Sequence, residues 1–303
     1  LSGGDASSVQ QFQRIRVHER REEVEPENTT QRYAPFFCQG EACLFSCRPD
    51  GQQIQVVRAA DGELVKQYDI PEFPEQLEGL CLDGQENLWY VFQNDQRELM
   101  MAQCGTVQRE PQKVWNLPSG GSYQVNGFWI WENYAVLQCL NSENGENTIV
   151  RYDLQTKEVK TGTVAGYETK FCADGEGYLY VLEKLGEASW EMKKCDLRTG
   201  AEQWAQQGFI FPWTLYSDGD TIYVLEMTET AFELRQADAS TGELRGESLN
   251  FETDLDTPLD RYHYLNIFTE KYILVREGQV TLCQIGQNGE DGPYERLTLS
   301  LEP

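Results

Sequence analysis

Acidic turns are the first residues here with types and spacing suited to chemistry. "LYSDGDTIYVLEM" (215–227) reads Asp-x-Asp across Asp218 and Asp220. Two carboxylates so placed could face a divalent cation. "DLDTPLD" (254–260) adds Asp254, Asp256 and Asp260. Calcium takes six to eight oxygen ligands, commonly from a loop that turns sharply at a glycine. This stretch has no glycine, and Pro258 stiffens it. "NSENGENT" (141–148) centres on Asn144-Gly145, a hairpin signal. Both loops read as solvated. No metal and no cofactor is assigned.

Cysteine and histidine give little more. The nine cysteines are odd in number and sparse, unlike a disulfide framework. Cys38, Cys43 and Cys47 form C-x4-C-x3-C, short of the paired ligands of a zinc site. They read as core, with a local Cys38–Cys43 disulfide as the alternative. Cys81 and Cys172 each precede an Asp-Gly by two, and Cys104 and Cys195 each follow that Asp by 21. Matched placement of this kind is what a small apolar packing position produces. Only His18 and His263 exist, so a histidine-rich metal site is excluded. His263, in "DRYHYLNI", is the one general-base candidate, with Arg261 or Arg32 as partners. Packing against Tyr262 and Tyr264 is its plainer reading.

What positions these residues is a repeat. "FCADGEGYLYVLEK" (from 171) and "LYSDGDTIYVLEM" (from 215) are one unit written twice, with Asp174 and Asp218 44 residues apart. Equivalent markers fall at Gln39-Gly40, Asp83-Gly84, Glu132-Asn133 and Glu270-Lys271, giving steps of 44, 49, 42, 44 and 52. Each unit divides into four short runs of strand-like alternation. A second turn recurs as "DLQTK" (153), "DLRTG" (196) and "DASTG" (238), with "AADGE" (59–63) a shorter form. Asp opening a turn bonds the backbone two residues on, and Gly takes the positive φ. No long helical period appears. The expected fold is all-β: a six-bladed β-propeller of four-stranded antiparallel blades. Blades start near 33, 77, 123, 167, 211 and 262 and fill 33–303. Residues 1–11 read as a flexible tether. Residues 12–32 carry a further strand, with Ile15 and Val17 in alternation, and a linker joining the propeller edge.

The D-x-x-T-G turns followed by an aromatic, as in Asp196–Gly200 then Trp204, resemble the blades of quinoprotein-type propellers. The regularly repeated Trp of that family is missing, so its quinone cofactor is not carried over. The chain also resembles propeller lipoproteins of Gram-positive gut bacteria. "LSGGDASS" (1–8) is similar to the tether behind the lipid-modified Cys of such proteins, which implies an extracellular or cell-surface place and a lipid anchor upstream of residue 1.

The totals limit partners. A net charge of −25 repels nucleic-acid phosphates and anionic lipid heads. No run of 18 apolar residues is present to span a membrane. A monomer is expected. Aromatics crowd the segments leading into the inner strands: Tyr33, Tyr123, Tyr167, Trp213 and Tyr262. Trp129 and Trp131 lie in the third inner strand itself. In a propeller these lead-in segments share one face, where rings can stack on sugars or grip peptide side chains. Inter-blade packing explains the same rings. The functional expectation is a non-catalytic glycan- or peptide-binding propeller at a bacterial surface. The alternatives are a lyase or hydrolase at the central funnel, and a structural module of a larger surface complex.

Overall fold

The computed structural model describes residues 16–24, 36–48, 51–58, 62–105, 109–119, 121–165, 169–187, 189–227, 232–250, 252–253, 270–276, 279–287 and 294–302. An early strand, β1 (Arg16–Val24), precedes the repeat. Blade one holds β2 (Phe36–Cys38), β3 (Glu41–Arg48), β4 (Gln53–Arg58) and β5 (Leu64–Asp69). Blade two holds β6 (Leu77–Leu82), β7 (Leu88–Gln93), β8 (Glu98–Cys104) and β9 (Arg109–Asn116). Blade three holds β10 (Tyr123–Trp131), β11 (Tyr134–Asn141), β12 (Glu146–Asp153) and β13 (Val159–Ala165). Blade four holds β14 (Lys170–Ala173), β15 (Tyr178–Gly186), β16 (Ser189–Asp196) and β17 (Glu202–Phe209). Blade five holds β18 (Pro212–Ser217), β19 (Thr221–Met227), β20 (Phe232–Asp238) and β21 (Leu244–Asn250). Each is a four-stranded antiparallel sheet in chain order.

Burial explains the run types. The second strands lie between two neighbouring blades and are buried on both faces, as in "LWYV" of β7 and "AVLQC" of β11. The fourth strands lie outermost, and β9 and β17 alternate with water. Apolar clusters run from blade to blade. One joins β7 and β8 to β11 and β12 through Val91, Met101, Leu137 and Val150. Another joins blades four and five through Tyr180, Met192, Ile222 and Val224. First strands are successive neighbours: β6 with β10, β10 with β14, β14 with β18. Phe37 of β2 meets Tyr216 of β18 edge-on, ring centroids 6.5 Å apart.

The expectation of six four-stranded blades is corrected. Among the described residues, five sheets are four-stranded blades. The last segment instead gives β23 (Glu270–Arg276), β24 (Gln279–Gln287) and β25 (Tyr294–Glu302), in a five-stranded sheet ordered β22-β1-β25-β24-β23. Here β22 is Glu252–Thr253. The last marker differs in place: Glu270-Lys271 opens strand β23. The other five markers do turn between a first and a second strand. The extra partner also comes from far along the chain, where a period cannot reveal it. β1 runs antiparallel to β25 from Arg16↔Glu302 to Val24↔Tyr294, and parallel to β22.

Candidate functional site

The repeated Asp of the first-to-second-strand turn has a structural occupation. Asp218 Oδ1 accepts the N–H groups of Asp220 (3.2 Å) and Thr221 (2.8 Å), and Oδ2 accepts the Tyr223 hydroxyl (3.1 Å). Asp174 is buried and repeats this with Glu176 N, Tyr178 N and the Tyr180 hydroxyl at 2.9 Å. Asp83 accepts from Gln85 and Asn87, then from the Trp89 indole at 2.9 Å. One carboxylate oxygen closes the turn, and the other ties it to an aromatic five or six residues later. That spacing was readable in the sequence as a polar partner for a buried Trp or Tyr. Burial alone would raise the Asp83 carboxyl, but the bonds from Trp89, Asn87 and Gln85 hold it below its ordinary value.

The second repeated turn works alike. Asp153, Asp196 and Asp238 each accept the N–H groups two and three residues on, at 2.7–3.1 Å. Gly200 and Gly242 then take φ values of 75 and 77, where blade three places Lys157 at 66. Both turn families lie at the same end of every blade. We call this the turn face. The opposite side carries the second-to-third-strand hairpins and the passages from one blade to the next, and is the crossover face.

The cysteines are core. Cys38, Cys43, Cys104, Cys139 and Cys172 are buried; Cys47, Cys81 and Cys195 are half-buried; all eight are free thiols. Burial pushes the Cys81 and Cys172 thiols up to about 12, far from a reactive thiolate. Among the described residues no group of three or more His, Cys, Asp or Glu could hold a metal ion. No helix there is long and apolar enough to cross a membrane.

Of the five aromatics expected to rim one face, Tyr33, Tyr167 and Tyr262 lie outside the described residues. So do His263, Arg261, Arg32 and the 254–260 loop. Tyr123 is half-buried against Trp115, edge-on at 5.7 Å, and its hydroxyl accepts from Asn141 at 3.3 Å. Trp213 is half-buried on β18. Blade four's β14 stands between the strands of these two rings, so no described contact brings them together. Trp129 and Trp131 pack between blades three and four. Trp131 stacks on Tyr134 (6.1 Å), carries Arg198 over its ring (4.9 Å), and abuts Gly177 of blade four.

The crossover face offers other residues. Leu185, Ile210 and Phe211 are 51%, 50% and 42% exposed. Leu185 sits in the β15–β16 hairpin, at a bulge beside the Lys184↔Trp190 pair. Ile210 and Phe211 form the passage from blade four to blade five. Phe209 pairs with Trp190, so the three lie at one end of the blade, about 10 Å apart across two strand spacings. Phe211 has φ 49. A bulky residue rarely adopts this, and one preceding a proline favours extended backbone. Beneath it, Glu226 is buried and accepts the Ile210 N–H at 2.8 Å, with Arg235 at 3.5 Å. Burial raises the Glu226 carboxyl; the Ile210 N–H and Arg235 partly offset this. From "FIFPW" (209–213) the sequence reading took Trp213 and left Ile210 and Phe211 aside. The available signal was an apolar run in a passage that ought to be polar.

No protein-family model and no curated protein matches the chain. Solved structures do match its fold. A luciferin-regenerating enzyme is similar at 9% identity and a TM-score of 0.56, with 94% of this chain and 96% of that chain covered. The hydrazine synthase of Kuenenia stuttgartiensis is similar at 12% identity and 0.50, covering 86% and 78%. A prolyl endopeptidase structure is similar at 12% and 0.50, covering 89% of this chain and 42% of that one. At such identities the likeness is one of fold, and this chain is a β-propeller.

Proposed function

We propose that this propeller is a non-catalytic binding module that takes a peptide or protein segment on its crossover face, at the passage between blades four and five. One observation carries the reading: Phe211 is held exposed in a backbone conformation that costs about 1–2 kcal/mol. Strain kept at an exposed aromatic is what a binding site retains and a mere linker does not. Leu185 and Ile210 extend the apolar surface beside it. Their aliphatic chains suit apolar side chains better than the hydroxyl-rich face of a sugar. A net charge of −25 favours a partner with Lys or Arg flanking its apolar residues. A cell-surface setting for such a module belongs to the same proposal.

The test is a thermal-shift panel of three arms: Leu- and Phe-containing peptides with basic flanks, the same peptides with acidic flanks, and oligosaccharides. The basic-flanked arm should raise the melting temperature. The shift should vanish in Ile210→Ser/Phe211→Gly and weaken in Trp213→Ala. A shift from oligosaccharides alone, or one that survives the double substitution, rejects the reading.

A further inference from the structure

A second site lies on the opposite face. A pocket of about 80 Å³ opens on the turn face between blades three and four, lined by Tyr134, Arg151, Asp153, Glu158, Lys160 and Arg198. This is room for roughly two to three waters, about the bulk of one carboxylate group. Its walls hold three cations and two acids. That reverses the balance of a chain with 25 Lys plus Arg against 50 Asp plus Glu.

Part of this arrangement is structural, and the structural part can be subtracted. Arg151 donates one N–H to the Leu197 carbonyl of the next blade at 2.6 Å and lies over the Tyr134 ring. Lys194 repeats that latch one blade on, donating to the Ala239 carbonyl at 2.9 Å and lying over Tyr178. Each of these two gaps is thus latched by one cation. Arg198 is a second. Its counterpart two residues into the following turn is Ser240, and that gap holds without it. The Arg198 guanidinium rests over Trp131 at 4.9 Å and donates no hydrogen bond among the described residues. A planar fork of five donors, propped against a ring beside a pocket, is set for a planar two-oxygen acceptor.

The acids narrow the choice. Asp153 spends one carboxylate oxygen on the N–H groups of Gln155 and Thr156 (both 2.8 Å), and Glu158 lies 3.5 Å from Lys160. Three cations of the lining against its two carboxylates, with nearby Asp196 offsetting part of the Arg198 charge, leave at most one positive charge to neutralise. A single carboxylate does so; a dianionic phosphate would overshoot beside two fixed negative charges. We propose that this pocket binds one carboxylate group, held by the Arg198 fork with Arg151 and Lys160 around it. Its source is a peptide C terminus or a sugar acid.

The experiment is an NMR titration of the intact chain, following the backbone amides of Leu197 and Arg198. The probes are N-acetylglycine, glucuronate, inorganic phosphate and the neutral N-acetylglycinamide. Saturable shifts with millimolar affinity are expected from one or both carboxylates; which of them binds identifies the source. Arg198→Ala should weaken that binding about ten-fold or more. Arg198 is exposed, so this variant should melt as the parent does; Lys160→Ala, a milder loss, serves if it does not. Equal shifts from the amide, tighter binding of phosphate, or unchanged affinity in both variants overturns the proposal.

Discussion

On the turn face, the same side chain meets the same need in blade after blade. On the crossover face agreement is partial: Asn94 and Asn141 each accept the N–H two residues on in the hairpins of blades two and three, while the passage between blades four and five has residues of its own. Asp83, Asp174 and Asp218 each close a turn and tether an aromatic. Across the sheets, Leu185, Ile210 and Phe211 stand in one place and have no repeat. The acids of the two faces differ too. Turn donors overcome burial to hold the Asp83 and Asp196 carboxyls below the ordinary range, and bonds from Ser240 and Arg245 do so for Asp238. Burial holds the Glu226 carboxyl above it. Recurrence marks what every blade needs to fold. A residue that departs from the recurrence is released from that duty and is open to another use.

That contrast can be broken, most forcefully at Gly177. A Cβ there would lie 2.5 Å from the Trp131 ring, on a backbone at φ +92. Gly177→Ala should cost about 3 kcal/mol in urea unfolding. Gly175→Ala, with nothing within 4 Å, should stay within about 0.5 kcal/mol. Equal effects would mean that the turn face is not tightly fitted.

Next comes Asp174→Ala. It strips the buried Tyr180 hydroxyl of its carboxylate partner, leaving Ser217, and two turn amides of theirs, and should cost about 2 kcal/mol by the same measurement. On the crossover face, Phe211→Gly should do the reverse. Relief of the φ 49 strain should leave stability unchanged or raise it by about 1 kcal/mol, while peptide binding is lost. A clear destabilisation would make Phe211 a packing residue and erase the contrast.

The smallest effect is the pH dependence. Asp83, Asp196 and Asp238 bind protons less readily folded than unfolded. Their contribution is therefore complete above the unfolded carboxyl value near 4 and is lost as pH falls through the lower folded values. Glu226 has the opposite sign, since the folded state holds its proton more tightly. Stability should fall as pH rises from its unfolded value, near 4.5, through the raised folded one. Melting curves of Glu226→Gln and the parent should thus draw together as pH falls from 7 toward 5. Curves that separate instead would reverse the assigned sign.

The blades were legible because their turns are local chemistry. Asp-Gly and Asp-x-x-Thr-Gly specify a hairpin within a few residues, and the five markers from Gln39 to Asp218 lie where a period places them. The last sheet was not legible in that way, since its order depends on β1 meeting β25. The site was harder still. Tyr123 is the right residue type in the right segment, yet Trp115 and Asn141 occupy its ring and hydroxyl. Trp131 serves the contact between blades. Arg198 looked like an ordinary turn residue, because its neighbour across the blade gap, Arg151, is 47 residues away in sequence and the pocket exists only once the blades stand side by side.

The pairing of β1 with β25 also bears on how the molecule is made. Strands in blades one to five find partners among the next few dozen residues to leave the ribosome. β1 is synthesised before all of them and must wait for nearly the last. Closing so long a loop costs about 3 kcal/mol more than closing a hairpin. The already folded blades must lower that cost by holding the two segments near each other. Until then β25 is an open edge, available to the early strand of another copy as readily as to its own.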